Sequence, residues 1–292
     1  MRNPIKINNF SNIITSSNSL KIRIKRNTNM KHENKNVIVT GGGRGIGKAI
    51  ALKFAEEGAN VVVNDINFAN AQKVSRKIKN KGQKALPVEA DVSIREQVKN
   101  MMKSITEKFG TPDILVNNAG IIKLNKFSNV TEEEWDKVIN VNLKGTFNCC
   151  QIVGSAMLKK REGCIINISS ISGLVPSTGG GSYSASKAGV AMLTNQLAVE
   201  WGKYNIRVNG ICPGFIRTPM EKHVYEDKEV ENFRKKLIPL NRIGTPEDVA
   251  KVASFLASDD AEYINGELIS VDGGAKHITE HIFPRKKEDI LS

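Results

Sequence analysis

The sequence predicts an α/β fold in which a doubly wound parallel sheet forms a single domain. Short apolar segments such as Val37–Val39, Val61–Val63 and Ile114–Val116 alternate with longer segments of helical periodicity. Strands that are apolar on both faces are typical of a parallel sheet covered by helices on each side. The chain has 292 residues, of which 40% are hydrophobic, so it is long enough to bury the core of one such domain.

The predicted elements follow one another in a regular order. The first strand, at 37–39, leads through a glycine-rich turn to a helix in which Ile50, Phe54 and Ala55 have helical spacing. Further strands are predicted at 61–63, 84–90, 114–116, 164–168, 206–211 and 267–271. Helices are predicted at about 68–81, 93–109, 131–160 and 181–203, and a last helix begins near Pro246. Helical crossovers of this length allow neighbouring strands to be parallel.

The composition argues against several classes of protein. The apolar runs fall well short of the roughly 18 residues that a membrane helix needs, so no membrane partner is predicted. The four cysteines form no C-x-x-C pair, so we expect neither a disulfide framework nor a metal site. The formal charge of +13 could indicate nucleic-acid binding. However, the basic residues are spread along helical stretches that also contain Glu, so a solvated surface rather than a nucleic-acid site is predicted.

Residues 1–29 form a basic extension that contains no acidic residue, and the domain is predicted to span 30–292 with a short tail from about 276. A mitochondrial presequence can have such a composition. Residues 20–25, however, alternate between apolar and basic at a period of two, which is not helical amphipathicity. We therefore expect a disordered extension, or translation from Met30, and a cytoplasmic protein. The mitochondrial matrix is the alternative if the extension is a presequence.

The glycine-rich turn Thr40–Gly47 lies between the first strand and the first helix. Backbone N–H groups at a helix N-terminus can bind a pyrophosphate, and glycines leave room for it, although any tight turn also favours glycine. Asp65 ends the second strand, where a carboxylate can accept hydrogen bonds from the adenosine ribose and repel a 2′-phosphate. Arg44 could hold that phosphate or pair with Asp65. The sequence therefore favours NAD and leaves NADP possible.

Tyr183 and Lys187 lie four residues apart on one face of a predicted helix. A free tyrosine has a pKa of about 10, and a neighbouring ammonium lowers it by stabilising the phenolate. Tyr183 could then exchange a proton with a substrate oxygen while a hydride moves at carbon. Ser170 follows a strand at the end where ligands bind, and Asn142 could hold a water that links Lys187 to solvent. Each of these residues, taken alone, could also be an ordinary surface residue.

The order and spacing of these residues resemble the short-chain dehydrogenase/reductase family over about residues 34–275. The turn matches T-G-x-x-x-G-x-G, Asn117–Gly120 match N-N-A-G, and Val271–Gly274 match the last family segment. The resemblance implies a Rossmann-type sheet with strand order 3-2-1-4-5-6-7. It also implies a homotetramer or a dimer, in which Val141, Phe147 and Val153 could line either the core or a subunit face.

The resemblance further implies the residues of the site. The catalytic tetrad would be Asn142, Ser170, Tyr183 and Lys187. Asp91 would contact adenine, and Pro213 to Thr218 would hold the nicotinamide carboxamide. The full predicted cofactor set is Gly41, Arg44, Gly45, Ile46, Gly47, Asp65, Asp91, Val92, Asn118, Ala119, Gly120, Tyr183, Lys187, Pro213, Gly214, Ile216 and Thr218.

The function that this resemblance implies is hydride transfer between a nicotinamide cofactor and a small-molecule secondary alcohol or ketone. One alternative is an NADPH-dependent 3-oxoacyl-[acyl carrier protein] reductase, and glucose 1-dehydrogenases are also similar. A non-catalytic dinucleotide-binding scaffold would be expected to lack a tetrad residue, and a sugar-nucleotide epimerase or dehydratase would need a longer C-terminal domain. Substrate choice is expected in 174–181 and 215–242. Basic residues there could contact an acidic carrier or simply be solvated: Arg217, Lys222, Arg234 and Lys235.

Overall fold

A seven-stranded parallel sheet runs through the computed structural model, which describes residues 30–277. Its strands are β1 (Asn36–Val39), β2 (Asn60–Asp65), β3 (Ala85–Glu89), β4 (Ile114–Asn117), β5 (Gly163–Ile168), β6 (Ile206–Pro213) and β7 (Leu268–Val271). Their spatial order is β3-β2-β1-β4-β5-β6-β7, which confirms the predicted sheet. The predicted extension 1–29 lies outside the described residues, as does the predicted tail apart from its first two residues.

Helices connect the strands. They are α1 (Gly45–Glu56), α2 (Phe68–Asn80), α3 (Arg95–Phe109), α4 (Glu132–Ile139), α5 (Gly145–Lys160), α6 (Gly181–Trp201), α7 (Lys222–Glu226), α8 (Lys228–Leu237) and α9 (Pro246–Ala257). The helix predicted at 131–160 is interrupted by a π-helical turn, Asn140–Lys144, between α4 and α5. Helices α7 and α8 were not predicted, because α7 is only five residues long and charged residues dominate the sequence of α8.

The sheet has a hydrophobic core on each face. Successive strand residues point to opposite faces. Val37 and Val39 therefore belong to the cluster that includes Phe54 of α1 and Val249 of α9, whereas Ile38 belongs to the cluster of α3 and α5. All of these side chains are fully buried. The strands are apolar on both faces because both faces are covered. Within the described part of the chain, every helix is too short or too polar to span a bilayer.

Residues 30–35 pack the start of the domain against α1 and α9. The His32 ring is 1% exposed, and its centroid lies 4.7 Å from that of Phe54. Its Nε2 atom is 3.1 Å from Ser254 Oγ and 3.5 Å from Glu57 Oε2. Burial lowers the pKa of His32 below its usual value, although the Glu57 carboxylate acts in the opposite direction. The folded protein therefore resists protonation of this imidazole more than the unfolded chain does.

We predict that His32 makes the stability of the fold depend on pH between about 7 and 5. Below the usual pKa of about 6.5, the unfolded chain takes up a proton that the folded protein resists, so stability falls as the pH falls. Of the other charged groups around the imidazole, burial would raise the pKa of Glu57, but hydrogen bonds from Lys53 and Ser254 lower it overall, so this carboxyl titrates below the window. Lys31 keeps its charge throughout this window, because its hydrogen bond to Asp260 raises its pKa, and the Asp259 side chain also faces the imidazole.

The measurement is the Tm of the wild type and of His32→Gln, which cannot titrate, at several pH values. The wild-type Tm should fall more steeply from pH 7 to pH 5 than the Tm of the variant. Parallel curves would show that the imidazole does not contribute to this dependence.

Candidate active site

The glycine-rich turn Thr40–Gly47 lies at the carboxyl end of β1 and leads into α1. Gly41 and Gly45 have φ values of +61° and +53°, which favour glycine. A Cβ on Gly47 would lie 2.3 Å from the carbonyl oxygen of Gly41, so a larger residue would not fit. The turn therefore has the open backbone that a pyrophosphate needs at the start of a helix, and its residues fit the predicted dinucleotide.

The N-N-A-G segment after β4 holds this turn in place. The Asn118 amide donates hydrogen bonds to the carbonyl oxygens of Thr40 (3.0 Å) and Gly41 (3.1 Å). In return, the Thr40 hydroxyl oxygen accepts the backbone N–H groups of Asn118 (3.0 Å) and Ala119 (3.1 Å). Two motifs that are far apart in the sequence are thus joined by four hydrogen bonds.

Asp65 lies beside the same turn and is 6% exposed. Its carboxylate accepts the backbone N–H groups of Gly43 (3.0 Å) and Asn67 (3.0 Å). Arg44 is exposed and, among the described residues, makes no ion pair with Asp65, so the pairing considered from the sequence is not formed. These contacts hold the carboxylate in one orientation next to the turn.

Asp91 and Val92 follow β3. The Asp91 carboxylate accepts both the backbone N–H (2.9 Å) and the hydroxyl (2.7 Å) of Ser93, as a turn residue does. Val92 is buried against α5, since a Cβ on Gly145 would lie 2.6 Å from Val92 Cγ2. Both residues are therefore fixed at the edge of the crevice where adenine is expected.

Asn142 lies in the π-helical turn and is fully buried, so it is not a surface amide. Its Oδ1 accepts the Ile121 N–H (2.8 Å), and its Nδ2 donates to the Ile121 carbonyl oxygen (2.9 Å) and to Ser186 Oγ (3.0 Å). A Cβ on Gly120 would lie 3.2 Å from Asn142 Oδ1 and 3.5 Å from Lys187 Nζ, so these residues are neighbours. The side-chain amide of Asn142 thus holds the loop after β4.

Tyr183 and Lys187 lie on α6, and the end of β5 supplies Ser170. The Lys187 Nζ atom donates to the Ile168 carbonyl oxygen (2.7 Å) and is 5.9 Å from the centroid of the Tyr183 ring. Burial lowers the pKa of Lys187 to about 8. Ser170 is 7% exposed, and its hydroxyl oxygen accepts the Ser172 N–H at 3.1 Å. The structure thus places a buried amine beside the tyrosine ring at the strand end that carries the serine.

The segment after β6 completes the edge of the crevice. Gly214 donates its N–H to the Val271 carbonyl oxygen of β7 at 3.0 Å, and Ile216 forms a parallel bridge with Gly244. Thr218 approaches the start of α1, because a Cβ on Gly45 would lie 3.7 Å from Thr218 Cβ. Pro213 to Thr218 therefore face the glycine-rich turn across the carboxyl ends of the strands. The described residues contain no cluster of three or more side chains suited to a metal ion.

Sequence analysis missed the ionic cluster that joins α8 to the segment after β6. Glu231 is almost fully buried and forms ion pairs with Arg217, Lys228 (3.1 Å) and Lys235 (2.8 Å). Hydrogen bonds from Lys235, Lys228 and Arg217 lower the pKa of Glu231 to about 2. Lys228 and Lys235 lie three residues before and four residues after Glu231, a spacing that could have indicated a helix.

A family model and curated relatives match this chain over most of its length. The family model described as enoyl-(acyl carrier protein) reductase matches residues 41–276. The 3-oxoacyl-[acyl-carrier-protein] reductase of Thermotoga maritima is 43% identical over 245 residues, which cover 84% of this chain and 99% of that protein. The corresponding reductase of Staphylococcus epidermidis is 45% identical over 242 residues, covering 82% and 98%.

Solved structures are similar over the same region. A gluconate 5-dehydrogenase from Burkholderia cenocepacia, in complex with NADP and tartrate, has a TM-score of 0.82 and 32% identity, covering 85% of this chain and 98% of its own. Levodione reductase has a TM-score of 0.81 and 34% identity, covering 84% and 98%. The chain is an oxidoreductase that transfers a hydride between a nicotinamide cofactor and a secondary alcohol or ketone, and it belongs to the short-chain dehydrogenase/reductase family.

Proposed function

We propose that this chain reduces 3-oxoacyl thioesters, with acyl groups presented on an acyl carrier protein. Relatives with that printed activity are 43–45% identical over more than 80% of the chain. The structural observation that carries the proposal is a rim of exposed apolar side chains on the loops after three strands of the crevice. They are Leu124 and Phe127 after β4, Leu174 and Val175 after β5, and Met220 after β6.

This rim suits an acyl chain better than a polyol. Ligands of open parallel sheets bind beyond the carboxyl ends of the strands, where these loops lie. Phe127 is close to the start of α6, since a Cβ on Gly181 would lie 3.9 Å from Phe127 Cδ2. Lys123 and Lys126 in the same loop are exposed and form no ion pair with other described residues, so they add positive charge for an acidic carrier.

Three cations after β6, Arg217, Arg234 and Lys235, are less suited to hold a sugar acid or a carrier, because they already have partners among the described residues. The side chain of Lys222 lies outside the described part of the structure. Arg217 and Lys235 are paired with Glu231. The Arg234 guanidinium lies 4.9 Å from the centroid of the Phe215 ring and 5.6 Å from that of Tyr225. A carboxylate ligand would have to compete with these contacts, whereas an acyl chain would not.

The position of Lys187 beside the Tyr183 ring supports the roles that we assign to the tetrad. The bound reduced nicotinamide supplies the hydride. The Tyr183 hydroxyl would donate its proton to the keto oxygen, and the Ser170 hydroxyl would hold that oxygen. The Lys187 ammonium would stabilise the phenolate that remains. Asn142 would act through the loop after β4, whose Ile121 backbone it holds at both N–H and carbonyl oxygen. With all four residues in place, a non-catalytic scaffold is the weaker proposal.

For the cofactor we propose NAD in preference to NADP. The Asp65 carboxylate is held by the N–H groups of Gly43 and Asn67, so it cannot turn away from a 2′-phosphate. The exposed Arg44 acts in the opposite direction, and one structural neighbour contains NADP. The buried carboxylate is the stronger influence, since two anions at short range repel each other strongly where water is excluded.

We further propose a cytoplasmic homotetramer. Apolar side chains are exposed on the neighbouring helices α5 and α6, namely Phe147, Met192 and Val199. A second copy of the chain would remove them from water. Of the other candidates for a subunit face, Val153 is fully buried in the core and Val141 is partly buried.

A substrate panel tests the proposed activity. We expect the purified chain to oxidise NADH fastest with acetoacetyl thioesters, because the apolar rim can cover the acyl chain. A keto sugar acid, a cyclic diketone and an enoyl thioester are the comparison substrates. A higher kcat/KM for any of these three would contradict the assignment of substrate.

Tyr183→Phe should lower kcat by about 100-fold or more, because only the proton-donating hydroxyl is removed. Cofactor binding, measured by NADH fluorescence, should stay within about twofold of the wild type, since the ring and Lys187 remain. Tyr263→Phe is the matched control, because Tyr263 is fully exposed. Substantial activity in Tyr183→Phe would remove the proton-transfer role from this residue.

Asp65→Ser should shift the cofactor preference towards NADP. Hydrogen bonds to a charged acceptor contribute about 1.5–3 kcal/mol, so the ratio of kcat/KM for NADH to that for NADPH should fall by about 10- to 100-fold. Asp136→Ser removes the same charge from the exposed surface of α4 and should leave the ratio unchanged. If the wild type itself prefers NADPH, the proposal of NAD is wrong.

A further inference from the structure

A chain of polar side chains crosses the apolar core between β4, β5 and α6. The Asn117 amide donates to Asn167 Oδ1 at 2.8 Å, and the Asn167 amide donates to Thr194 Oγ1 at 2.9 Å. The Thr194 hydroxyl in turn donates to the Val190 carbonyl oxygen at 2.8 Å. All three side chains are buried: Asn117 is 4% exposed, and Asn167 and Thr194 are 0% exposed.

The direction of each hydrogen bond that links Asn117, Asn167 and Thr194 is fixed. The Thr194 hydroxyl uses its only proton on Val190, so it must accept from Asn167. The Asn167 amide oxygen must therefore face Asn117, because the opposite orientation would set the Asn167 oxygen against the Thr194 oxygen with no proton between them. An unpaired buried amide group is costly, so Asn167 has one favoured orientation. Apolar contacts, in contrast, are not directional.

This polar chain connects the parts of the active site. Asn117 directly precedes Asn118, which holds the glycine-rich turn. Asn167 lies three residues before Ser170, and Thr194 lies two helical turns after Lys187 on α6.

The residues after Asn167 also contact α6. Ile168 accepts a hydrogen bond from Lys187 Nζ at its carbonyl oxygen (2.7 Å), and the Ser169 hydroxyl donates to the Lys187 carbonyl oxygen at 2.8 Å. Three consecutive residues at the end of β5, Asn167 to Ser169, thus form hydrogen bonds with α6, the helix that carries Tyr183 and Lys187.

We propose that Asn167 and Thr194 are positioning residues, which set the height and rotation of α6 against β5. They would thereby fix the distance of the Tyr183 hydroxyl and the Lys187 ammonium from Ser170. The inference rests on the roles proposed above for Tyr183 and Lys187. Both positioning residues are fully buried, so neither side chain is available to contact substrate or cofactor. A displacement of about 1 Å in a reacting group can cost about two powers of ten in rate, so a directional bond at this distance from the site matters.

Two substitutions of Thr194 separate the hydrogen bond from packing. Thr194→Val keeps the shape and removes the hydroxyl, whereas Thr194→Ser keeps the hydroxyl and removes a methyl group. We expect Thr194→Val to lower kcat about tenfold or more, and the cofactor Kd to change much less. The pH at which alcohol oxidation reaches half its maximal kcat should also rise, because the lysine stabilises the phenolate less. Thr194→Ser should keep kcat within about twofold, even where the lost methyl lowers Tm.

The opposite pattern would overturn the proposal. If Thr194→Val keeps the wild-type kcat and pH profile, or Thr194→Ser loses as much as Thr194→Val, the residue only fills space. Should Thr194→Val be too unstable to assay, Thr194→Ala and Thr194→Ser form a second pair that differs by the hydroxyl. The same assay includes Tyr183→Phe, whose inactivity supports the proposed chemistry whatever the Thr194 variants show.

A double-mutant cycle checks that Asn167 acts through the same bond. If Asn167→Leu and Thr194→Val both act by breaking it, the double variant should lose little more kcat than the more damaging single variant. Losses that multiply would mean that the two residues act separately, and the polar chain would not be the positioning device.

Discussion

The site depends on one geometric constraint, which is that parallel strands end at the same edge of their sheet. Because β1, β4, β5 and β6 are hydrogen-bonded neighbours, the segments that follow them converge there. Asn118 then joins two of these segments, since its amide holds the turn after β1. A shift of register by one residue would turn the side chains of β4 to the opposite face. The glycine-rich turn and α6 would then no longer keep their relative positions.

The parts that could be predicted from the sequence are those fixed by local physics. Buried parallel strands have to be apolar on both faces, so segments such as Val61–Val63 were visible as strands. The turn Thr40–Gly47 was visible because its backbone requires glycine. The strand order, however, came from the family resemblance. No local pattern shows that β1 lies between β2 and β4, because this depends on the path of the crossover helices.

The parts that were missed depend on contacts between distant residues. Glu231 looks like an ordinary charged residue of a surface helix, but Arg217, which lies 14 residues earlier in the chain, helps to bury it. The side chain of Asn142 holds the backbone of Ile121, which lies 21 residues earlier and could not be identified as its partner from the sequence. Such pairings are decided by tertiary structure. The segments 174–181 and 215–242, where substrate choice is expected, depend most on such pairings, and there the sequence was least informative.

Two buried charges of the site have no ion-pair partner among the described residues. Asp65 is held only by backbone N–H groups, and Lys187 donates to a backbone carbonyl oxygen. Burial without an opposite charge is unfavourable, which is why the pKa of Lys187 is lowered. If the proposed dinucleotide binds at this site, its ribose hydroxyls can exchange hydrogen bonds with both groups. A ligand that binds only the folded state stabilises it. The proposed cofactor contacts of Asp65 and Lys187 would therefore couple cofactor affinity to the stability of the fold.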